Sequence, residues 1–284
     1  AGGSVDMVAR LVGQYLAADL GQPFVIDNKA GGSGQIGLPQ VAKAAPDGYT
    51  LMVSPASFLT TNKSLFKSLP YNPETDFAPI TKLVNQAMVL VVPEKSRFAS
   101  MADLLAAAKA APGKLTYASS GDGSPQHLAG LMLENRAGIK LLHVPYKGGA
   151  PAITDLIGGQ VDMVLAPLPE ALPHVKAGKL RPLAVLSDQR VALLPAVPTM
   201  REAGVSDLVL SAWIGLLAPA KTPQPVLDKL NKAVHAALQG EARAKLLDAG
   251  MEPALNDPKP LRQVIVEDIR LHAELIKAAG VVPQ

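Results

Sequence analysis

The chain has 284 residues, of which 48% are hydrophobic and 18% are charged, so it has enough apolar material for a folded core and is unlike a disordered chain. Its formal net charge is only +3, and its lysines and arginines are scattered among acids, which argues against nucleic-acid binding and against a basic membrane-surface segment. It has no cysteine, which excludes disulfides and thiolate sites, and no apolar run approaches the roughly 18–20 residues of a membrane span.

Helical and strand patterns alternate from the start of the chain. Apolar residues recur at helical spacing over residues 5–20, and residues 24–27 have the composition of a short buried strand. A glycine loop leads into a helix through 41–44, and a strand follows over 49–53. Units of this kind, each about ten residues or shorter, predict a parallel α/β sheet.

The same alternation continues to the C-terminus. Ser100 and Asp103 have the spacing of a capping box, which predicts a helix start at that point. Further strands are predicted over 88–92, 115–118, 142–145, 161–165 and 183–186, and further helices near Pro125 and over 150–157, 223–238 and 260–279. No flexible linker interrupts the pattern, so two domains would be joined by strands that cross between them and not by a tether.

A glycine motif in the N-terminal third resembles a dinucleotide-binding fingerprint. Gly32, Gly34 and Gly37 have the Gly-x-Gly-x-x-Gly spacing that lets a backbone approach a pyrophosphate. The fingerprint also needs an acid at the end of the next strand, where this chain has Ser54-Pro55-Ala56-Ser57. A nucleotide-binding α/β enzyme that uses this loop therefore stays as the alternative interpretation.

The loop from Ser119 to Ser124 has the features of an anion site. A predicted strand ends there, Gly121 and Gly123 permit a tight turn, and Ser124 precedes Pro125 as a helix N-cap. Backbone N–H groups at such a helix start suit a carboxylate. Similar glycine-rich helix starts recur at Gly2-Gly3-Ser4, Gly31-Gly32-Ser33-Gly34 and Gly148-Gly149, and in an open parallel sheet such loops lie at the ligand-binding edge.

Catalytic and metal sites are not expected. Neither Ser120 nor Ser124 lies in the Gly-x-Ser-x-Gly turn that exposes a hydrolase nucleophile. His127, one turn into the helix after Ser124, can bond that turn or a ligand, and we do not expect it to act as a base. The five histidines show no i, i+4 pairing with a carboxylate, so no metal and no cofactor are predicted.

Several segments together resemble the tripartite tricarboxylate transporter receptor family, the Bug or TctC-type extracytoplasmic solute receptors. The resemblance spans essentially the whole chain in the family's order, and its motifs are specific in combination. The segments are AGGSVDMVAR at 1–10, DNKAGGSGQIG at 27–37, APDGYT at 45–50, YASSGDGSPQHL at 117–128, VPYKG at 144–148, GGQVD at 158–162, LAV at 183–185, VPT at 197–199, EAG at 202–204 and WIGLLAP at 213–219.

The resemblance implies a two-domain, periplasmic-binding-protein-like (type II) fold with a hinged cleft between two α/β domains. Domain 1 would comprise residues 1–93 and 219–284, and domain 2 would comprise 94–218, with crossovers near 93 and 213–219. The chain would be a periplasmic receptor that catalyses nothing, is monomeric and does not insert into a membrane. It would deliver a small carboxylic acid, mono- or dicarboxylate and including aromatic acids, to membrane permease subunits.

The same resemblance implies where the acid binds. Its carboxylate would contact the first-helix loop, the Ser54–Ser57 loop, and the Ser119–Ser124 loop with its neighbouring strand ends. The implied contacts are Gly2, Gly3, Asp6, Ser54, Ser57, Ser119, Ser120, Gly121, Gly123, Ser124, His127, Tyr146 and Ala166.

The chain departs from the family pattern in two ways. Relatives usually begin with a short strand and a Pro-rich turn before the Gly-Gly segment, so we expect that an N-terminal strand and a signal peptide are missing here. Many relatives also carry an aspartate where this chain has Ala166-Pro167. Its loss would disfavour amino-acid ligands and favour acids without an amine.

Overall fold

The computed structural model describes residues 2–29, 31–254, 260–278 and 283, and the chain divides into two compact units. Unit 1 contains residues up to Asn85 and Trp213–Glu274, and unit 2 is built mainly from Gln86–Ala212. The chain passes from one unit to the other inside two strands, at 85/86 and at 212/213. The domain boundaries expected from the sequence, near 93 and 213–219, remain a prediction.

Elements of the first third begin with α1 (Ser4–Leu20), a 3₁₀ turn at Gly32–Gly34, α2 (Leu38–Ala42) and β1 (Met52–Pro55). They continue with α3 (Ala56–Thr60), α4 (Asn62–Leu65) and the long strand β2 (Phe77–Pro93). The middle of the chain forms α5 (Met101–Ala110), β3 (Thr116–Ser119), α6 (Pro125–Ala137), β4 (Leu142–Pro145), α7 (Gly149–Ile157), β5 (Met163–Pro167), α8 (Leu168–Lys176) and β6 (Leu180–Val185). The last third forms β7 (Ser211–Pro219), α9 (Gln224–Ala237), α10 (Gly240–Asp248), β8 (Met251–Pro253) and α11 (Leu261–Ala278).

In unit 1, β1 pairs antiparallel with β7, and Ser54 lies opposite Gly215. One apolar cluster joins α1, β7 and α9, since the α1 stripe of Val8, Val12 and Leu16 is at most 2% exposed. A second cluster collects α3, Phe77, Trp213 and α11. The helical spacing of apolar residues in α1 therefore gives the helix one buried face. The packing of this face fixes the position of the loop that precedes α1.

In unit 2, the sheet order is β6-β2-β5-β3-β4. β3 is parallel to both β4 and β5, whereas β2 is antiparallel to β5 and to β6. The apolar cluster of this unit includes α7, α8 and the β5 residues Val164 and Ala166. The predicted α/β class is confirmed, but the sheet is mixed and not wholly parallel.

The parallel part of the sheet brings three helix starts to one edge of unit 2. β3, β4 and β5 point the same way, and α6, α7 and α8 begin shortly after them. Ser124 caps α6 by accepting from the His127 N–H at 3.3 Å, as the sequence predicted. The predicted capping box of α5 is also present, with Ser100 and Asp103 bonded reciprocally.

The strand predicted over 24–27 is wrong. Residues 23–29 follow α1 without strand pairing, and Val25 is 89% exposed. Phe24 instead packs on α1 near Gly13, whose missing side chain leaves room for it. The apolar run Phe24-Val25-Ile26 satisfied the strand pattern, although Val25 is exposed and the other two residues are only half-buried. Among the described helices, none is long and apolar enough to cross a membrane.

Candidate functional site

In unit 1, the first-helix loop is organised by Asp6. Its carboxylate accepts hydrogen bonds from the Gly2 N–H at 2.9 Å and the Asn28 side-chain amide at 2.8 Å, and it pairs with the Arg10 guanidinium at 2.9 Å. These contacts, the backbone bond first, lower the pKa of Asp6 to about 2. Asp6 therefore bonds its own helix start and holds the loop, and its role as a direct ligand contact stays a prediction.

The start of α1 itself has a glycine N-cap, Gly3, with no side-chain cap hydrogen bond. The first-turn N–H groups of a helix have no acceptor inside the helix, and the helix dipole adds positive potential there. Gly2 is exposed and Gly3 half-exposed. This helix start can accept an anion.

Ser54 and Ser57 lie where β1 leads into α3. Both are nearly fully buried, at 1% and 2% exposure. The Ser54 hydroxyl donates to the Pro55 carbonyl at 3.0 Å, whereas the Ser57 hydroxyl has no hydrogen-bond partner among the described residues. α1 contacts β1, so the two predicted loops of unit 1 belong to neighbouring elements. Ser57 has an unused donor and acceptor.

In unit 2, the β3–α6 loop is held by its own residues. Gly121 and Gly123 have φ values of 123° and 75°, which explains why glycines are needed at both positions. The Gly123 N–H donates to His127 Nδ1 at 3.1 Å, so His127 bonds the turn, one of the two roles expected for it. Ser124 and His127 are buried, and the half-exposed loop residues are Ser120, Gly121 and Asp122.

A serine, a histidine and an aspartate lie in line beneath this loop. Ser119 Oγ is 2.6 Å from His143 Nε2, and His143 Nδ1 is 3.6 Å from Asp122 Oδ1. The order is that of a hydrolase triad, but Ser119 is 0% exposed and its hydroxyl also bonds the Gly121 backbone. A buried hydroxyl that no substrate can reach cannot act as a nucleophile. The contacts among Ser119, His143 and Asp122 therefore hold the shape of the loop.

His127 and His143 stack with their rings 4.1 Å apart and 1° from parallel. Burial lowers the pKa of both, and His127 lowers that of His143 further, to about 3. With Asp122 they form the group of possible metal ligands in the described part of the chain, with ligand atoms within 4.8 Å of one another. An imidazole binds a metal in its ring plane, and two parallel stacked planes share no point, so these rotamers do not form a metal site.

A second polar chain runs from the loop surface into unit 2. The Ser120 hydroxyl donates to Gln126 Oε1 at 2.9 Å, and Gln126 Nε2 donates to Glu170 Oε2 at 3.2 Å. The Glu170 carboxylate lies directly against Gly149 at the start of α7, where any side chain at position 149 would collide with it. The α7 start expected to attract an external anion is therefore covered by a carboxylate of the same chain.

The last two predicted residues lie at different depths. The Tyr146 N–H donates to the Ser119 carbonyl at 2.9 Å and its hydroxyl to Asp155 at 2.7 Å, so half-exposed Tyr146 borders the loop. The Ala166 side chain lies in the apolar core with 0% exposure. In this structure the Ala166 side chain offers no surface to a ligand, so its role as a ligand contact, and the ligand preference expected from the missing acid there, stay predictions.

The glycine motif of the alternative interpretation has a packing role. No strand of the described structure precedes Gly32–Gly34, and the helix that follows Gly37 has only five residues. Gly34 has φ 84°, and a Cβ at this position would come within 2.7 Å of the Phe58 ring. The strand–loop–helix context that a nucleotide site needs is absent here, so the nucleotide-binding enzyme is not supported.

Sequence reasoning missed four residues that organise these loops: Asn28, Gln126, His143 and Glu170. Gln126 and His143 stood in segments that had been singled out, but their partners depend on tertiary structure. His143 reaches Ser119 through the pairing of β3 with β4, and Gln126 reaches Glu170 on α8. Glu170 had no signal at all, because its contact with Gln126 joins residues 44 apart in the chain.

Comparison with known proteins gives one family. Residues 8–281 match the family model of the tripartite tricarboxylate transporter family receptor. The protein BugT of Bordetella pertussis is 37% identical over 281 residues, which cover 98% of this chain and 86% of BugT.

Two solved structures are similar over the whole chain. R. palustris Rpa4515 with adipate has a TM-score of 0.96 and 35% identity, covering 100% of this chain and 95% of that one. The periplasmic binding protein BugD has a TM-score of 0.95 and 36% identity, covering 100% of this chain and 96% of BugD.

Proposed function

The chain belongs to the tripartite tricarboxylate transporter receptor family, and we propose that it is a periplasmic solute receptor that binds a small carboxylic acid for a tripartite transporter. The observation that carries this proposal is the full-length match, at a TM-score of 0.96, to Rpa4515, a structure with adipate. The match makes a linear mono- or dicarboxylate the first ligand class to test.

In unit 1, the features that support anion binding are a helix start and a serine hydroxyl. The α1 start has a glycine cap and no side-chain cap bond, and the Ser57 hydroxyl has no partner in the described structure. Asp6 holds the α1 loop through Gly2 and Asn28, so the loop is shaped before a ligand arrives. Such preorganisation lowers the entropic cost of binding.

In unit 2, the accessible part of the proposed site is a polar surface, and we propose that it contacts the ligand without catalysing a reaction. The accessible part of the β3–α6 loop is Ser120, Gly121 and Asp122, while the buried side chains beneath them hold its shape. We propose that the ligand is released unchanged. Recovery of the intact acid by NMR after prolonged incubation tests this, and the appearance of a product would contradict it.

Thermal unfolding with a panel of acids tests the binding proposal. A ligand at 100 times its Kd adds about 2.7 kcal/mol to the free energy of unfolding, which is a measurable rise in Tm. We expect a rise with mono- or dicarboxylates of two to eight carbons and none with NAD. A rise with NAD and none with any acid would contradict the proposal.

The partners and location follow from the family. We propose that the receptor is a monomer, acts in the periplasm and hands its ligand to the membrane permease subunits of the same transporter. The similarity to BugD, a periplasmic binding protein, supports the location. Cell fractionation of the full-length gene product, and co-purification with the permease subunits in the presence of ligand, test these two points.

A further inference from the structure

The hydrogen bonds behind the β3–α6 loop have a fixed direction. A carboxylate accepts hydrogen bonds and donates none, so the Gln126 side chain turns its NH₂ group toward Glu170. Its carbonyl oxygen then faces Ser120 and needs a donor, because Gln126 is only 2% exposed. The single hydroxyl hydrogen of Ser120 supplies that donor.

The orientation begins at Glu170, and the fold holds that carboxylate in place. Glu170 is in the first turn of α8, and its carboxylate lies against Gly149 at the start of α7. A negative group at a helix start is stabilised by the helix dipole. The missing side chain of Gly149 provides the space that the carboxylate fills.

At the loop surface, Ser120 consequently offers lone pairs and no hydrogen. We propose that Ser120 accepts a hydrogen bond from a hydroxyl or ammonium group of the bound acid, so that the preferred ligands are hydroxy or amino carboxylic acids. This inference rests on the proposed function. It also assigns to Ser120 a different role from the carboxylate donor expected from the sequence.

A carboxylate oxygen placed on Ser120 would meet the opposite situation. To donate to it, the hydroxyl would have to leave Gln126, and a buried carbonyl oxygen would lose its hydrogen-bond donor. An acid without a hydroxyl or amine would leave the Ser120 lone pairs unmatched. Half-exposed Asp122, two residues away, offers negative charge beside an ammonium group, so the two donor chemistries need separate test arms.

Isothermal titration with matched acids tests the inference. The sets are succinate, malate and aspartate, then glutarate, 2-hydroxyglutarate and glutamate, then adipate with its 2-hydroxy and 2-amino derivatives. For the chain length that binds best, we expect the hydroxy or the amino acid to bind about tenfold more tightly than the unsubstituted acid, the discrimination that one hydrogen bond gives.

Two substitutions separate the role of Ser120 from a general loss of binding. The quantity to follow is the ratio of the Kd of the unsubstituted acid to the Kd of its hydroxy or amino derivative. Ser120→Ala should bring this ratio close to one. Glu170→Gln should lower the ratio as well, because Gln126 can then turn either way and release the Ser120 hydrogen. Ser187→Ala and Glu134→Gln are matched changes in unit 2 at positions outside the hydrogen-bond series of Ser120, Gln126 and Glu170. They should leave the ratio of Kd values unchanged.

The outcomes are distinct. If unsubstituted acids bind wild type as tightly as both substituted forms, the inference is wrong while the proposed function stands. If Glu170→Gln folds, by circular dichroism and Tm, and keeps the full wild-type ratio, the fixed hydrogen-bond direction is wrong. If no acid of any set binds, the proposed function itself fails.

Discussion

Two polar side chains of unit 1 have opposite hydrogen-bonding states in the proposed anion site. The Asp6 carboxylate is fully engaged, with three donors around it, and so contributes to folding. The Ser57 hydroxyl is buried and has no partner among the described residues, so it contributes nothing to folding through hydrogen bonds. Substitutions at the two positions should therefore affect different measurements.

Ser57→Ala should weaken carboxylate binding about fivefold to tenfold, because one hydroxyl contact to an anion is lost. Its Tm without ligand should stay near the wild-type value, since no hydrogen bond of the free protein is broken. Titration and thermal unfolding measure the two effects. Thr222→Val, which removes another buried hydroxyl without a described partner, should not change affinity; an equal loss there would contradict the role of Ser57.

Asp6→Asn should lower the free energy of unfolding by about 1 kcal/mol at pH 7, as an exchange of a charge-assisted bond for a neutral one. The pKa of Asp6 is about 2 in the folded chain and 3.8 in the unfolded chain, so its stabilisation is complete above pH 4 and is lost as the pH falls toward 2. Urea unfolding at pH 7 and pH 3 should show the difference shrinking. Asp19→Asn, an exposed change near the end of the same helix, should show no such loss.

At the scale of elements, the β3–α6 loop is supported from below by β4 and from the side by α8. His143 belongs to β4 and bonds Ser119, while Glu170 belongs to α8 and reaches Gln126. Both links follow from the parallel pairing that brings these strand ends together. The shape of the loop therefore depends on elements that lie far away in the chain.

His143→Gln should flatten the acid dependence of stability. Burial lowers the pKa of His143 to about 3 from 6.5 in the unfolded chain, so between these values the unfolded chain binds the extra proton. Stability is consequently lost as the pH falls from 6.5 toward 3, by about 2 kcal/mol at pH 5 from this group. Urea unfolding at pH 7 and pH 5 measures the slope, and His235→Gln should keep the wild-type slope.

Gly130→Ala should destabilise the chain by about 2 kcal/mol or more. Gly130 lies on α6 against the fully buried ring of Tyr117 on β3, and an added methyl group would collide with that ring. Urea unfolding tests this, and Gly158→Ala, which meets only ordinary contacts, should stay within about 0.5 kcal/mol of wild type. Equal stability of the two variants would contradict the packing of α6 on β3.

Element prediction from the sequence succeeded where local signals were strong. The helix starts at Ser100 and Ser124 have side-chain caps, and the sequence marked both. It failed for the direction of β2, because strand–helix alternation implies parallel neighbours and only tertiary pairing reveals that β2 is antiparallel to β5 and β6. It also missed α8, because Pro173 lies inside this helix and contradicts a helical pattern, while Pro169 lies in its first turn.

At the scale of the whole molecule, the recurrence of glycine-rich helix starts predicted an anion site, which stays a prediction, and it did not distinguish one helix start from another. The α1 start has no side-chain cap, the α6 start is capped by Ser124, and the α7 start is covered by Glu170. These differences depend on contacts between distant residues, so the composition of the loops could not distinguish them. The resemblance to a family added the fold and the ligand class.

The glycine at position 149 has a consequence for how ligand preference could change among relatives of this chain. Gly149 is buried and is not among the residues proposed to contact the ligand, yet even one methyl group there would push the Glu170 carboxylate away. The amide beside Ser120 would then be free to turn, and its hydroxyl could donate outward instead of accepting. A receptor of this design could thus change its preference from hydroxylated acids to unsubstituted dicarboxylic acids through a single buried substitution. The residues proposed to contact the ligand would be unchanged.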